Sequence, residues 1–343
     1  MEGGMNNRMC LCFVVGLFMI MAIIGCKERA TSEAKPLRIA VFQITEIQPI
    51  AELREGFSKA IKESPHVQNR PIEILPFKDA HGDTTLVNQI ADQIIADKPD
   101  LIYVLGTSVA QAIAERTKTI PIVQGAVTDP VEAKLAVSWE GSGRNYAAST
   151  DLPPVQAQLD ILRKVLPEVK KIGTIYDSGE DNSKAVMKQL RKYAEKMGFV
   201  VIEKGVTSGA DVSKMTTALL GKVDVIFVPT DNTVHGALPA LLQVAADQHL
   251  PVYNCTRSSV ESGALFALGG DYKDMGASAG RIAVRILSGQ PPGEIPIAFI
   301  ENPTLYWNVG VSEKYKIPLS DEMRKRVNVS IREGKEVPKP LEK

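Results

Sequence analysis

Apolar runs and amphipathic stretches alternate along most of this chain. Residues 37–43 form a buried-strand run, 50–61 have helical periodicity, and 72–77 read as a second strand. Residues 84–96 then predict a helix, with Leu86, Ile90 and Ile94 at helical spacing. A third strand over 101–105, a helix opening over 109–114 and a strand over 121–123 follow. The pattern restarts after Asp151. Helices are predicted over 154–166, 183–197, 211–220, 233–246 and 275–287. Strands are predicted over 171–176, 200–203, 223–228, 251–253, 264–268, 295–299 and 305–309, with a polar tail at the end. Near-continuous apolar strands separated by helices imply parallel sheets covered on both faces.

Two segments repeat one another. Asp100-Leu-Ile-Tyr-Val-Leu-Gly-Thr-Ser108 parallels Asp224-Val-Ile-Phe-Val-Pro-Thr-Asp-Asn232. Each is a strand that ends in hydroxyl or acidic residues and opens a helix. Each is followed, one helix later, by a Pro-led strand at Pro121 or Pro251. Two similar α/β lobes are the simplest reading. Open α/β sheets bind ligands at the carboxyl ends of their strands, and a cleft between two lobes suits a small molecule. Strand-end residues therefore become the candidates.

The N-terminus carries an export pattern. The 17 residues Met9 to Gly25 are uncharged, Arg8 precedes them and Glu2 offsets it. The run ends Ile23-Ile24-Gly25-Cys26, which looks like a bacterial lipobox. Residues 1–25 are then a lipoprotein signal peptide. Cys26 is the lipidation site, its thiolate being the best nucleophile available for a thioether, and 26–36 form a lipidated tether. Two acyl chains supply stable anchoring. An uncleaved anchor helix is the alternative, and either way the rest lies outside the cytoplasm, in the periplasm or on the outer face of a membrane. Cys10 and Cys12 leave with the signal, so Cys255 is expected as a buried, inert thiol.

Composition narrows the classes. The 343 residues carry 40 Lys+Arg and 40 Asp+Glu, so a basic nucleic-acid footprint is excluded. The length suits two lobes. Enzyme readings fare badly. Gly276-Ala-Ser-Ala-Gly280 matches the hydrolase elbow pattern, but Ser278 falls in a helical stretch and no His follows it. The pattern reads instead as a small-residue packing face. His66, His81, His235 and His249 show no ligand spacing, so no metal is expected, and no nucleotide loop points to a cofactor.

Several stretches, in order, resemble the substrate-binding lipoproteins of ABC importers, and most of all the tryptophan/tyrosine-type family. They are Gly106-Thr107 with Gln111-Ala112, Ala126-Val-Thr-Asp-Pro130, Glu180-Asp-Asn-Ser183, Val228-Pro-Thr-Asp-Asn232, Gly263-Ala264 and Gly270-Asp-Tyr272. They spread from about residue 37 to about 315. Two stretches depart from the family pattern: Gln48-Pro49 replaces its usual His-Pro, and Asn145-Tyr-Ala-Ala-Ser-Thr-Asp151 replaces its Asn-Val/Ile-Thr-Gly. The resemblance implies two Rossmann-like doubly wound lobes joined by a hinge of crossover strands, the type I periplasmic-binding-protein fold. Its implied boundaries are 37–148 with 271–302 for one lobe and 149–270 with 303–332 for the other, then a polar tail over 333–343. It also implies capture of a solute by hinge closure and delivery to a permease with its ATPase, by a monomer that is not an enzyme. The closing strands are expected near 145–151, 265–270 and 303–309.

An α-amino acid suits the candidate list, and the resemblance implies an aromatic one. Its carboxylate needs donors such as those at helix starts, where Thr107-Ser108 and Asn182-Ser183 fall. Its ammonium needs an acid, for which Asp231 or Asp271 are placed. Gln43 at the first strand end can hydrogen-bond to it, and Thr128, Asp129, Asp151, Glu180 and Asn232 complete the set. Each has a plainer role: Thr107, Ser108, Asp231 and Asp271 as helix caps, Asp129-Pro130 as a turn, Glu180 and Asn182 as a solvated loop. A sensory ligand-binding subunit would use the same cleft, and a lipid-anchored hydrolase would need a nucleophile and base that are not found.

Overall fold

In the computed structural model, residues 1, 34–299 and 302–338 are described, and everything below concerns the compact unit 36–343. The apolar run, Cys26 and its tether up to residue 33 lie outside the described residues.

Two sheets organise the chain. The first contains β1 (Leu37–Gln43), β2 (His66–Val67), β3 (Arg70–Ile74), β5 (Leu101–Leu105), β6 (Ile122–Val127) and β7 (Tyr146–Thr150), in the order β2-β3-β1-β5-β6-β7, with β4 (Lys78–Asp79) beside β1. The second contains β8 (Lys171–Asp177), β9 (Val200–Val206), β10 (Val225–Phe227), β11 (Val252–Asn254), β12 (Phe266–Gly269), β13 (Thr304–Asn308), β14 (Val329–Arg332) and β15 (Lys335–Val337). Its order is β15-β14-β13-β12-β11-β10-β8-β9. The strands β1, β5, β6 and β7 run parallel to one another, as do β8 to β12, with helices between them, while β13 pairs antiparallel with β12. The α/β fold of two doubly wound lobes is thus the one expected.

The repeated Asp has a physical role that explains the repeat. Asp100 accepts the Arg38 N–H at 2.8 Å, tying the start of β5 to β1. Asp224 accepts the Lys170 and Lys171 N–H groups at 2.9 and 2.8 Å, tying β10 to β8. Each lobe so fixes a central strand pair by the same contact, and both strands run out toward the cleft.

In the first lobe, α1 (Gln48–Glu63) packs along α10 (Tyr272–Leu287), which returns from the second lobe. A Cβ on Gly56 would lie 1.9 Å from the Lys273 carbonyl oxygen, and one on Gly276 2.1 Å from that of Leu53. The G-x-S-x-G stretch is therefore where two helix backbones touch, as its helical setting suggested. In the second lobe an aromatic ladder of Phe227, Tyr253, Phe266 and Trp307 runs across four neighbouring strands.

Some expectations are corrected. The stretch 295–299 forms only a bridge, Ser149 to Ala298, because Pro296 lacks a ladder donor. The helix expected over 233–246 is two, α7 (Asn232–Gly236) and α8 (Leu238–Asp247), broken where Pro239 cannot continue the hydrogen-bond series. The polar tail over 333–343 begins as a hairpin instead. Glu333 and Gly334, both at positive φ, make the two-residue turn that pairs β15 with β14. The closing segments are also shorter than expected, since 146–150, 266–269 and 304–308 are locked in sheets. The links between lobes include residues 151–154 and 270–271, and the third connection runs through residues 300 and 301, which lie outside the described residues.

Candidate functional site

Between the lobes lies a cavity at the carboxyl ends of both sheets. Its lining includes Thr107, Thr128, Asp151, Asn182, Asp231 and Asn232, six of the predicted residues. It leaves about 50 Å³ in which the centre of a water molecule can lie, enough for a few waters.

The first lobe supplies two walls. Gly106 ends β5 at φ +114°, and a Cβ there would stand 2.7 Å from Ile44 Cγ2. Only glycine accepts both constraints, so the chain can turn sharply into α3 (Thr107–Arg116) with Thr107 facing the cavity. No side chain caps this helix start, which leaves its first-turn amides free of a side-chain acceptor. The second wall is the opening of α1, where Ile47, Pro49, Ile50 and Leu53 form an aliphatic surface.

The second lobe supplies a dense polar wall. Asp231 is buried and caps α7, accepting the Val234 N–H at 2.7 Å. Its other oxygen takes the Asp177 N–H at 2.6 Å and the Ser183 hydroxyl at 2.7 Å. Burial and the nearby Glu180 charge raise its pKa to about 7. Glu180 accepts from the Asn232 N–H and side-chain amide and from the Thr233 N–H and hydroxyl, between 2.8 and 2.9 Å. His235 places Nδ1 2.8 Å from the Asp231 carbonyl oxygen, so Nδ1 carries the proton. Burial holds the His235 pKa below its usual value, which keeps the ring neutral.

Asp151 sits where the first link leaves β7. Its Oδ1 accepts the Thr128 hydroxyl at 2.8 Å and its Oδ2 the Tyr272 hydroxyl at 3.1 Å. Burial raises its pKa, and the two hydrogen bonds only partly offset this. A carboxylate has about four acceptor sites, so Asp151 keeps roughly two for a ligand. No Lys or Arg lines the cavity among the described residues.

The other predicted residues serve elsewhere. Gln43 spends its amide on Glu46 and Asp79, both at 2.7 Å, and on Arg54. Ser108 is not among the lining residues, and Ser183 donates its hydroxyl to Asp231. Asp129 accepts the Val131 and Glu132 N–H groups at 3.0 Å, which makes it a turn residue. Glu180 holds α7 rather than the cavity. Asp271 caps α10 through the Lys273 and Asp274 N–H groups and faces a separate hollow with Ser278 and Arg281. The lining also contains residues that strand-end reasoning omitted: the aliphatic wall of α1, Thr230, His235, Thr256 and Tyr272. Tyr272 and Thr230 already lay in the Gly270–Tyr272 and Val228–Asn232 motifs.

Cys255 is a buried free thiol, and burial pushes its pKa far up. That matches the inert thiol expected.

Comparison with known proteins fits this geometry. Residues 38–330 match the family model described as ABC transporter substrate binding protein. A tyrosine-binding protein of Clostridioides difficile is 33% identical over 305 residues, covering 86% of this chain and 88% of that protein. A Streptococcus pneumonia ABC domain in complex with L-Trp superposes with a TM-score of 0.81 at 29% identity, covering 85% of this chain and all of that one. The ligand-free, open structure of a Clostridium difficile substrate-binding protein with adhesive properties reaches only 0.65 at 32% identity, covering 86% and 99%. With two α/β lobes of the type I periplasmic-binding-protein fold and a polar cavity between them, this chain belongs to the ABC transporter substrate-binding protein family.

Proposed function

We propose that the cleft captures an α-amino acid with an aromatic side chain and delivers it to the permease of an ABC importer. The observation that carries this reading is Asp151: an enclosed carboxylate with acceptor capacity left and no cationic side chain in the cavity to neutralise it. A ligand ammonium supplies that charge. The uncapped first turn of α3, with Thr107, offers donors for the ligand carboxylate. The aliphatic wall of Ile47, Pro49, Ile50 and Leu53 takes the side chain. The L-Trp complex and the tyrosine-binding relative support an aromatic ligand.

Capture works by closure of the lobes about 151–154, 270–271 and the third connection. Contacts from both lobes to one ligand favour the closed form, and only such differential contacts shift the population. The better superposition on the L-Trp complex than on the open structure, at similar identity, supports a closed arrangement here. We further place the protein outside the cytoplasm as a monomer, tethered by lipid on Cys26 after removal of 1–25.

The test is calorimetric titration of the purified protein with L-Tyr, L-Trp and L-Phe, with their deaminated acids and decarboxylated amines as controls. Saturable binding of at least one amino acid, with loss of affinity in its deaminated acid, is expected. Equal binding of acid and amino acid, or no binding of any of the three, overturns the reading.

A further inference from the structure

A chain of buried hydroxyls crosses the cleft without needing the ligand. Thr230 Oγ1 lies 3.1 Å from Thr128 Oγ1, Thr128 donates to Asp151, and Asp151 accepts from Tyr272. Thr230 belongs to the second lobe, Thr128 to the first, and Asp151 and Tyr272 stand at two of the three links. Thr128 and Thr230 are 2% and 7% exposed, so water competes little for these bonds.

Proton counting fixes the direction. Each hydroxyl has one hydrogen. Thr128 gives its hydrogen to Asp151, so with Asp151 ionised the Thr230 hydroxyl must be the donor to Thr128. Thr230 is itself held in place, because its carbonyl accepts the Asn182 amide at 2.6 Å. The other bonds across the cleft stand at its rim. They include Lys188 with Glu132 and Gln48 with Glu261, whose exposed side chains are worth little. Gln111 with Asp181 at 2.8 Å is partly buried and adds a third.

We propose that Thr230 is a positioning residue that joins lobe closure to the charge on Asp151. The Asp151 carboxylate orients Thr128, Thr128 takes the Thr230 hydrogen, and the second lobe is drawn onto the first. A ligand ammonium on Asp151 keeps the carboxylate ionised and the relay set in this direction, so occupancy and closure reinforce each other. This rests on the reading of Asp151 as the ammonium seat, but the link between Thr230 and closure is measurable in the free protein.

The experiment compares wild type, Thr230→Val and Thr230→Ser by small-angle scattering without ligand and by calorimetry with the best-binding amino acid. Thr230→Val keeps the shape, and Thr128 still bonds to Asp151. The expected result is a larger radius of gyration in free Thr230→Val and an affinity five- to tenfold lower, the size of one buried hydrogen bond, with both restored in Thr230→Ser. The apparent affinity falls because less of the free protein is in the competent form. An unchanged radius overturns the proposal. An unchanged radius with lower affinity shows a plain ligand contact instead. If no amino acid binds wild type yet Thr230→Val still expands, the amino-acid reading fails and the closing role of Thr230 stands. A melting transition in each variant guards against misfolding, and an unfolded Thr230→Val is replaced by Thr128→Val, which cuts the same link and is expected to show the same expansion.

Discussion

Asp151→Asn isolates the charge that the ligand reading depends on. Asn has nearly the same shape. Its carbonyl oxygen can still accept from Thr128, and its amide can donate to Tyr272 once that hydroxyl turns. The local structure should survive. What disappears is the partner of the ligand ammonium. Two unit charges 4 Å apart attract by about 4 kcal/mol at an effective dielectric of about 20. Truncating one side of a buried charge pair typically costs about 2–5 kcal/mol of binding. Asp231, the other acid in the lining, already serves three donors, so it does not take over. A loss of about 3 kcal/mol is a roughly hundredfold weaker Kd. Stability should move the other way. Burial raises the Asp151 pKa in the folded state, so the folded free protein holds its proton more tightly than the unfolded chain does. Between the ordinary Asp value and the raised one, stability falls as pH rises, and the neutral Asn escapes this cost. Titration calorimetry and a melting curve therefore form a paired assay: weaker binding with an equal or higher Tm. The same linkage makes wild-type affinity fall as pH drops through the raised pKa, with proton release on binding, and Asp151→Asn should flatten that dependence. A variant that binds within threefold of wild type would refute Asp151 as the ammonium seat.

Three further outcomes are expected. Asp231→Asn should cost roughly 1–3 kcal/mol of stability, because its amide hydrogens would face the Asp177 N–H; a Tm equal to wild type in a thermal melt counts against its structural role. Gly56→Ala drives a methyl toward the Lys273 carbonyl, a backbone atom that cannot step aside, and should destabilise by about 1–3 kcal/mol or more; denaturant midpoints decide it, and no change would mean that α1 and α10 are not so close in solution. Cys26→Ser should abolish labelling by a fatty-acid probe in cells and free the protein from the membrane fraction; retained label would place the anchor elsewhere.

The fold was legible because its signals are local. Apolar runs such as 101–105 and 225–228 have no polar face to hide, so they announce strands buried on both sides. The Asp100 and Asp224 repeat marked the pseudo-symmetry because both lobes solve the same problem of tying a central strand pair. What escaped was short or context-dependent. The hairpin β14–β15 rests on a two-residue turn and edge pairing, and the apolar-polar alternation of Val329-Ser-Ile-Arg332 is only four residues long. The helix α12 (Asp321–Arg326) is shorter than two turns, and only the Ser320 cap and the burial of Met323 mark it.

The site was harder to read, and the reason is physical. A strand-end rule finds every polar residue near the sheet ends, but it cannot say which side chains the fold has already occupied. Asp231, Asp271 and Asp129 look alike in sequence as acids before a helix or turn. All three cap backbone N–H groups here, and capping consumes the lone pairs that an ammonium would need. Asp151 differs because the residues after it, Leu152-Pro-Pro154, cannot present N–H groups as a helix start does: the two prolines have none. Its carboxylate is therefore left with hydroxyl partners from other segments, Thr128 and Tyr272, and with acceptor capacity to spare. The Pro-Pro that ends the first link thus both stops β7 from running directly into a helix and leaves the Asp151 carboxylate without the helix-start N–H groups that Asp231 and Asp271 cap.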